Sequence, residues 1–337
     1  MKRNVFVLFG GLMIAMYACS YRADKLPETK ENVNDTLSSG SAEKPVLLPK
    51  AADIAIEKDF IYDNLILTDS YPYRNATRQF QWDKIRDNIA YIDSIQYYPA
   101  SWGVIQNRKN INGEAPLVKN HRKNNFDRIV DDYGVECYQA APLYHILDSV
   151  IPERYGIDGT LIKYVEQGEK FSRVRGTNFD GEWLIPNKYL KPLRDVTVFT
   201  KAIFVDRANQ NIATLEKVED KWLVRSMDHA TTGLEKPPLQ KETPLGIFVV
   251  QEKKSKMYYF ADNTTEIGGF APFASRFCNG AYIHGIPVNL PDSTFIERSW
   301  TLGTTPRSHM CVRNATSHAK FVYSWAPVSK ALVCVIE

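Results

Sequence analysis

The segment Leu302-Gly303-Thr304-Thr305-Pro306-Arg307-Ser308-His309-Met310-Cys311-Val312-Arg313 is the stretch from which both the fold and the chemistry of this chain are inferred. It places a thiol, Cys311, close to His309, and a second histidine occurs upstream in the dipeptide His284-Gly285. A thiol nucleophile needs a base to take its proton and backbone amides to stabilise the oxyanion that its attack creates. The pattern therefore indicates acyl transfer through a thioester.

The size and composition of the chain are those of an ordinary globular protein. Its 337 residues have room for one large domain or a few small ones. Hydrophobic residues make up 44% and charged residues 24%, which argues against a disordered or fibrous chain. The net charge of +3 is too weak to indicate a nucleic-acid partner, and none is expected.

The amino-terminal residues have the pattern of an export signal. Lys2 and Arg3 precede an apolar stretch, residues 5–18, which is short for a membrane span but typical of a secretory signal. Cys19 follows a small residue, an arrangement that resembles a bacterial lipobox. We therefore expect residues 1–19 to be a lipoprotein signal peptide and Cys19 to be the lipid attachment site. The protein would then be anchored to a membrane on its periplasmic or cell-surface side, with ordinary export as the alternative.

Two segments precede the strand-rich part of the chain. Residues 20–52 are rich in Glu, Asn, Ser, Lys and Pro, which predicts a flexible tether. Residues 53–96 are predicted to form a short helical lead-in, because apolar residues recur there at the three- and four-residue spacing of one helix face. The residues of that face are Trp82, Ile85, Ile89, Ile92 and Ile95. We expect the helix to pack against the module that follows and to carry no chemistry.

Residues 97–196 predict a small β-barrel. Short apolar or aromatic runs are separated there by Gly, Pro, Asn and Asp, which is typical of strands joined by turns. The predicted strands are residues 134–138, 160–165, 170–174 and 182–186. The strand with Gly181-Glu182-Trp183, followed by Tyr189-Leu190-Lys191-Pro192, resembles a bacterial SH3-like domain. Such a module binds the cell wall or acts as a spacer that shapes access to the next domain, and the sequence leaves both roles open.

Residues 197–337 also predict a β fold. The predicted strands are residues 200–206, 210–215, 221–227 and 246–250. The second and third of these strands are separated by Glu219-Asp220, which predicts a hairpin turn. No segment of this block shows the pattern of a long amphipathic helix. We therefore expect the reactive residues on strand ends and loops.

The same block resembles the YkuD-type L,D-transpeptidase family from end to end. The matching pieces occur in the order Val205-Asp206, Gln210-Asn211, Thr232-Gly233, Thr243-Pro244-Leu245-Gly246-Ile247-Phe248, Ile283-His284-Gly285 and the opening segment. Each piece alone is a weak signal, but their order and spacing together are specific. The resemblance implies a mainly β fold, in which a YkuD-type β-sandwich follows the SH3-like β-barrel and the short helical lead-in.

The resemblance also implies a role for each residue of the reactive centre. Cys311 would be the nucleophile and His284 the base that accepts its proton. Gly285 would orient the imidazole through its carbonyl, and His309 would line the same pocket. The backbone amides of Cys311 and Met310 would form the oxyanion hole. The family usually has glycine where Met310 stands, so a positive φ would strain the methionine and misaim its amide, whereas ordinary dihedral angles would only crowd one pocket wall.

A second group of residues is expected to contact substrate. The group consists of Arg313, Ser308, Arg276, Tyr282 and Asn314. Arg313 would bind a substrate carboxylate or fix the loop through carbonyl groups, and the loop role is favoured. Arg276 would contact an anionic stem peptide, with an ordinary surface charge as the alternative.

The implied reaction has two halves and needs no metal or organic cofactor. The cysteine attacks the carbonyl between the diamino acid at position three of a peptidoglycan stem and the terminal D-Ala, and D-Ala leaves as a thioester forms. The amine of a second stem then gives a 3-3 crosslink, whereas water as acceptor would make the enzyme an L,D-carboxypeptidase. Carbapenem-type β-lactams would inhibit an active enzyme. A catalytically lapsed domain that binds wall peptides as a scaffold is the alternative that Met310 leaves open.

The remaining cysteines and histidines have no motif around them. Three cysteines are expected to be buried apolar fillers, with a structural disulfide as the alternative. They are Cys137, Cys278 and Cys334. Four histidines are expected on the surface or in loops, namely His121, His145, His229 and His318. The reactive thiol and its two histidines lack a fourth ligand for zinc, so no metal site is expected.

Overall fold

β-Strands dominate the part of the chain that the structure describes. The structure is a computed structural model, and it describes residues 48–194 and 198–337. Two α-helices occur within these residues, and the prediction of a mainly β fold is confirmed. The predicted signal peptide, its lipid site Cys19 and most of the predicted tether lie outside the described residues. None of the described helices is long and apolar enough to cross a membrane.

The lead-in contributes three short strands and one helix. They are β1 (Ile56–Lys58), β2 (Ser70–Tyr73), β3 (Ala76–Gln79) and α1 (Trp82–Ile95). The predicted helix face is confirmed, since Ile85, Ile89 and Ile92 are buried. These side chains share a core cluster with Trp102 of the middle segment and with Trp222 of the carboxyl-terminal block. The prediction named only the middle segment as the packing partner of α1, but the helix packs against both the middle segment and the carboxyl-terminal block.

The middle segment is built from short strands. They are β4 (Trp102–Ile105), β5 (Arg122–Lys123), β6 (Ile129–Val130), β7 (Ala140–Leu143), β8 (Arg154–Ile157), β9 (Leu161–Gln167), β10 (Phe171–Gly176), β11 (Phe179–Pro186) and β12 (Leu190–Leu193). Five of them form an antiparallel sheet in the order β11-β10-β9-β4-β12. Its buried side chains, among them Ile105, Ile162 and Val174, form a core of their own.

Three of the four strands predicted in the middle segment are confirmed. β9, β10 and β11 cover the predicted positions, but residues 134–138 form no strand. The Asp131 carboxylate accepts hydrogen bonds from the backbone N–H groups of Tyr133 and Val135, at 2.9 Å each, and Gly134 has a φ of +80°. A carboxylate that binds the backbone two residues further on makes a turn, so the apolar run here is bent.

The carboxyl-terminal block contains the remaining strands and the second helix. They are β13 (Lys201–Asp206), β14 (Asn211–Val218), β15 (Lys221–His229), β16 (Gly246–Val249), β17 (Glu252–Phe260), β18 (Ile267–Cys278), β19 (Ala281–His284), β20 (Val288–Asn289), β21 (Val312–Arg313), α2 (Thr316–Trp325) and β22 (Ala331–Ile336). The four predicted strands are confirmed by β13 to β16, and Glu219-Asp220 is the predicted hairpin turn between β14 and β15.

Two sheets enclose the core of this block. The first has the strand order β1-β15-β14-β13-β22-β16, so β1 of the lead-in is its edge strand. The second has the order β17-β18-β19-β21, with β20 beside β18. Ile203 and Phe248 of the first sheet share one buried cluster with Phe277 and Ile283 of the second. The two sheets therefore pack face to face through their apolar side chains, as predicted for a sandwich.

Helix α2 was not expected. It is 10 residues long, and its buried residues Thr316, Ala319 and Val322 recur at intervals of three. The helix packs against β18 and β19 and contributes Val322 to the core between the sheets. A segment this short gives a weak periodic signal, which explains why the pattern did not stand out.

The other cysteines behave as predicted, but two of the histidines do not. Cys137, Cys278 and Cys334 are buried and unbridged, so the disulfide alternative is wrong. His121 and His145 are exposed. His318 is fully buried in α2, where its Nε2 lies 2.9 Å from Ser226 Oγ, and His229 is half-buried. Their neighbours come from distant segments, so no local motif marks them.

Candidate active site

Two parallel strand ends, β19 and β21, bring the predicted nucleophile and base to one sheet. Their register pairs Ile283 with Val312 and His284 with Arg313. Ile283 and Val312 point into the core between the sheets, where both are buried. Because side chains alternate along a strand, His284 and Arg313 lie on the opposite face, and Cys311, which precedes Val312, is directed to that side as well.

The Cys311 thiol is half-buried and is protonated at neutral pH. Its Sγ lies 3.6 Å from the carbonyl oxygen of Gly280, which accepts the weak S–H hydrogen bond. Burial raises the pKa of the thiol to about 11, against the opposing effects of the Tyr282 backbone N–H and the charge of Arg313. A thiol in this state becomes a nucleophile only when a base removes its proton.

The His284 imidazole has the properties of such a base. It is 3% exposed, and its Nδ1 lies 2.6 Å from the carbonyl oxygen of Gly285. Nδ1 therefore donates the hydrogen, and the lone pair stays on Nε2. Burial lowers the pKa of His284 to about 4, the Gly285 carbonyl opposes this, and the Arg313 charge adds to it. At neutral pH the ring is uncharged and free to accept a proton, and its hydrogen bond to the Gly285 carbonyl fixes its orientation.

The loop before the nucleophile is held together by two hydroxyl groups. Ser308 is 1% exposed, its hydroxyl donates to the Cys311 carbonyl oxygen, and its oxygen accepts from the Met310 N–H at 3.4 Å. Thr243 Oγ1 donates to the Met310 carbonyl oxygen at 2.8 Å. The Ser308 hydroxyl is therefore buried and bound to its own loop, and its contact with substrate stays a prediction.

Met310 has the positive φ that, according to the sequence analysis, would strain a methionine at this position. Its φ is +133°, a region that favours glycine, and strain there costs roughly 1–3 kcal/mol. Its N–H is directed at Ser308 Oγ, whereas the Cys311 N–H has no hydrogen-bond partner in the described part of the chain. Of the two amides predicted for the oxyanion hole, only that of Cys311 is free to receive an oxyanion in this structure.

The side chain of Met310 also borders a cleft. The cleft has a volume of about 300 Å³ and lies between the middle segment and the carboxyl-terminal block. Tyr155 and Phe179 line it from the middle segment, and Lys241 and Asn279 line it from the block. Met310 therefore forms part of a pocket wall in addition to carrying a positive φ.

Arg313 is a charged side chain whose charge acts on both reactive groups. Its charge acts on the pKa values of Cys311 and His284, and burial lowers its own pKa. Its backbone pairs with Thr231, but among the described residues its guanidinium has no hydrogen-bond partner. The favoured loop-fixing role is therefore not observed. A cation with unused donors beside the thiol fits the other interpretation, a site for a carboxylate.

Three other residues predicted to contact substrate are buried and bound to protein groups. Arg276 is 4% exposed, and its Nη1 lies 2.6 Å from a carboxylate oxygen of Asp158. The Tyr282 hydroxyl donates to Glu252 at 3.1 Å, and the Asn314 side-chain amide donates to the His229 carbonyl oxygen at 2.8 Å. Their side chains are thus occupied by protein groups in this structure, and their contact with substrate stays a prediction. Tyr282 still acts on the site through its backbone N–H.

His309 lies on the outer side of the nucleophile loop. Its side chain is 47% exposed, and its Nε2 is 3.9 Å from Asp262 in the turn between β17 and β18. The role of His309 as a residue of the pocket stays a prediction. Tyr259 of the same hairpin was not predicted from the sequence. Its hydroxyl donates to Asn289 at 2.8 Å, and its ring lies close enough to Arg313 to influence the pKa of the guanidinium.

The described residues contain no group of three or more histidine, cysteine or carboxylate side chains arranged as metal ligands. The groups that this site offers for chemistry are Cys311, His284 and the backbone around them. A neutral imidazole, a protonated thiol and a free amide are the components of general-base-assisted nucleophilic attack on a carbonyl.

Comparison with protein families identifies the block that contains this site. Residues 200–335 match the model of the L,D-transpeptidase catalytic domain, YkuD. No curated protein sequence matches the chain.

Several solved structures are similar to parts of the chain. A fused zinc-dependent amidase, peptidase and peptidoglycan-binding-domain protein from Clostridium acetobutylicum is 20% identical with a TM-score of 0.30, and the match covers 41% of this chain and 52% of that one. The chain thus spans about half of that protein. An L,D-transpeptidase in complex with imipenem is 14% identical with a TM-score of 0.33, covering 53% and 92%. L,D-Transpeptidase 3 from Mycobacterium tuberculosis with a faropenem-derived adduct is 14% identical with a TM-score of 0.33, covering 59% and 79%. The assignment of the block rests on the family match and not on these low scores.

Proposed function

Since residues 200–335 match the model of the L,D-transpeptidase catalytic domain, we propose that the protein is a cysteine-dependent enzyme that makes 3-3 crosslinks in peptidoglycan. One observation carries the proposal. The hydrogen bond from His284 Nδ1 to the Gly285 carbonyl leaves a neutral imidazole with a free Nε2, on the same face of the sheet as the Cys311 thiol. This pair supplies the nucleophile and the base that thioester formation requires.

The first half of the reaction forms the thioester on Cys311 and releases D-Ala. His284 removes the proton of Cys311 as Sγ attacks the carbonyl carbon between the third residue of a stem and its terminal D-Ala. The Cys311 N–H stabilises the oxyanion, and one such donor is worth roughly 3 kcal/mol in the transition state. When the carbon–nitrogen bond breaks, the imidazolium returns the proton to the amine of D-Ala, and a thioester remains on Cys311.

The second half reverses these steps with a new amine. The side-chain amine of a second stem attacks the thioester carbonyl and gives its proton to His284. The carbon–sulfur bond then breaks, and the imidazolium protonates the leaving thiolate. The product is an amide between the third residues of two stems, and the thiol and the neutral imidazole are restored. Arg313 holds a carboxylate of one stem during these steps.

Two alternatives use the same site differently. Water in place of the second amine makes the enzyme an L,D-carboxypeptidase that trims D-Ala. The position of Met310 favours the other alternative, a catalytically lapsed scaffold that binds wall peptides, because its N–H is directed at Ser308 and not at an oxyanion.

The parts of the chain before the catalytic domain fit an enzyme of the cell wall. We propose that residues 1–19 are a lipoprotein signal peptide, that Cys19 carries the lipid, and that residues 20–52 are the tether. The five-stranded sheet within residues 97–196 is the proposed SH3-like module, and residues 53–96 brace it against the catalytic domain. The enzyme would thus act outside the cytoplasm, beside a membrane.

Acylation by a carbapenem tests the proposal directly. We expect the purified protein to gain the mass of one imipenem molecule at neutral pH, and we expect Cys311→Ala to abolish the adduct. Cys278→Ala is the matched control, because Cys278 is a buried free thiol of the same domain and its loss leaves the adduct unchanged. If the unaltered protein forms no adduct, the scaffold alternative gains support. A tetrapeptide stem, with and without a second stem, then separates crosslinking from trimming by the mass of the product.

A further inference from the structure

The carboxylate of Asp158 crosses from the middle segment into the catalytic domain. It stands between β8 and β9, is fully buried, and accepts four hydrogen bonds. The donors are Asn107 N at 2.8 Å, Arg276 Nη1 at 2.6 Å, Gln251 Nε2 at 3.1 Å and Asn279 N at 2.9 Å. Three of these four donors belong to the catalytic domain, so most of the hydrogen bonds of this carboxylate connect the middle segment to that domain.

The donors hold the turn between β18 and β19, which is next to the nucleophile. Arg276 lies near the end of β18, and Asn279 is the first residue of the turn, with a φ of +41°. Gly280 follows, and its carbonyl oxygen accepts the Cys311 thiol at 3.6 Å. Asn279 needs support in its left-handed conformation, and the hydrogen bond from its N–H to Asp158 provides it.

The backbone on both sides fixes the position of the carboxylate. Gly159 has a φ of +92°, and a Cβ atom there would lie 2.0 Å from the Phe277 carbonyl oxygen, so the middle segment and β18 are in direct backbone contact. Gly159 O also accepts from Val249 N at 2.9 Å, and Thr160 pairs with Phe248. The position of Asp158 is therefore fixed by these backbone contacts of Gly159 and Thr160 with the catalytic domain, and not by a flexible side chain.

A second carboxylate, that of Glu252, balances positive charge where the middle segment contacts the catalytic domain. Glu252 lies 3.3 Å from Arg276 and 2.6 Å from Arg108 of the middle segment, and it accepts from the Tyr282 hydroxyl. The backbone N–H of Tyr282 acts in turn on the Cys311 thiol. The Gly280 carbonyl, which accepts the thiol, and the Tyr282 N–H, which acts on it, are thus both connected to the middle segment.

We propose that Asp158 is a positioning residue for the thioester chemistry, so that the middle segment is part of the catalytic apparatus and not only a spacer. The proposal rests on the proposed function for the meaning of the chemistry. Asp158 fixes the turn, the turn fixes the Gly280 carbonyl, and this carbonyl directs the thiol. A displacement of about 1 Å at a reacting group costs on the order of 100-fold in rate.

The chain offers a matched control for the test. Asp131 is also a fully buried aspartate of the middle segment, and it accepts from Tyr133 N, Val135 N and Tyr155 N. None of these donors belongs to the catalytic domain. Asp158→Asn and Asp131→Asn therefore remove comparable charges from comparable burial, but only the first acts on the turn beside Cys311.

The experiment compares both variants in the full-length protein at a temperature where each is folded. We expect both to lower the melting temperature. Only Asp158→Asn should lower the maximal rate constant of imipenem acylation, by about 10- to 100-fold, with little change in the half-saturating concentration. The rate of Cys311 alkylation by iodoacetamide, which needs no substrate site, is measured beside it.

Equal kinetic losses in the two variants, or an unchanged rate in Asp158→Asn, would overturn the proposal. If the unaltered protein forms no imipenem adduct, the proposed function fails, but the iodoacetamide rates still decide whether Asp158 positions the thiol. Should Asp158→Asn fail to fold, Gln251→Ala replaces it, since it removes a single donor to the same carboxylate. A several-fold loss is then expected, and no loss would contradict the role.

Discussion

The backbone at Met310 offers the sharpest test of how this site works. Replacing Met310 by alanine or by glycine removes the same side chain beyond Cβ, so both variants lose the same contacts with the cleft and the core. The two variants differ only in whether residue 310 carries a Cβ atom at a φ of +133°. Their difference in stability therefore isolates the backbone strain.

The expected size of this difference follows from two opposing effects. Glycine removes strain of roughly 1–3 kcal/mol, and it costs roughly 0.5–1 kcal/mol because its unfolded backbone has more freedom to lose. We expect Met310→Gly to be about 1 kcal/mol more stable than Met310→Ala, which corresponds to about 2 °C in melting temperature for a chain of this size. At an ordinary φ the order would be reversed, so the sign alone is informative.

Two measurements on each variant decide the matter. Thermal and urea unfolding give the order of stability, and the rate of imipenem acylation gives the effect on the site. A glycine at this position lets the amide turn from Ser308 toward the oxyanion, and one such donor is worth about 100-fold or more in rate. We therefore expect faster acylation in Met310→Gly than in Met310→Ala. An alanine variant that is as stable and as fast as the glycine variant would refute both the strain and the misdirected amide.

Two further predictions concern the histidines. His284→Ala should slow acylation by about 100-fold or more and Arg313→Ala by less, and equal losses in the two variants would contradict their assigned roles. The pKa of His284 is about 4 and that of Cys311 about 11. The wild-type rate should therefore be level around neutral pH and fall as acid protonates His284. His318 titrates near pH 6.5 when unfolded and, because burial lowers its pKa, near 3 when folded, so the stability present above pH 6.5 is lost as the pH falls toward 3, by about 1.4 kcal/mol per pH unit at most. Urea unfolding between pH 7 and pH 4 should show a weaker loss in His318→Gln than in the wild type, whereas identical slopes would show that His318 does not contribute.

Local patterns were sufficient to predict seven of the 22 strands in the described residues and the first helix. The spacing of Ile85, Ile89 and Ile92 predicted one face of α1, and Glu219-Asp220 predicted the turn between β14 and β15. The failures also have local causes. Asp131 bends an apolar run into a turn, and α2 is too short to give a clear period.

The substrate-side residues could not be predicted in the same way. Arg276 looked like a free charge because its partner, Asp158, is 118 positions away in the sequence. Ser308 and Asn314 were expected to contact substrate because they lie within three residues of Cys311 in the sequence, but the fold buries both. A side chain near a nucleophile in sequence points toward substrate or away from it according to strand register, which the sequence does not show.

The sequence by itself pointed to cysteine-based chemistry, because the nucleophile and base candidates lie in short motifs that resemble those of the YkuD-type family. Cys311, His284 and Gly285 required no knowledge of distant contacts. Only the tertiary structure decided the backbone conformation, the protonation and the hydrogen-bond support of the reactive groups. The positive φ of Met310, the neutral buried imidazole and the reach of Asp158 into the catalytic domain arise from packing between segments far apart in the chain. Such packing sets dihedral angles, burial and hydrogen-bond partners, and these quantities are not local properties of a sequence.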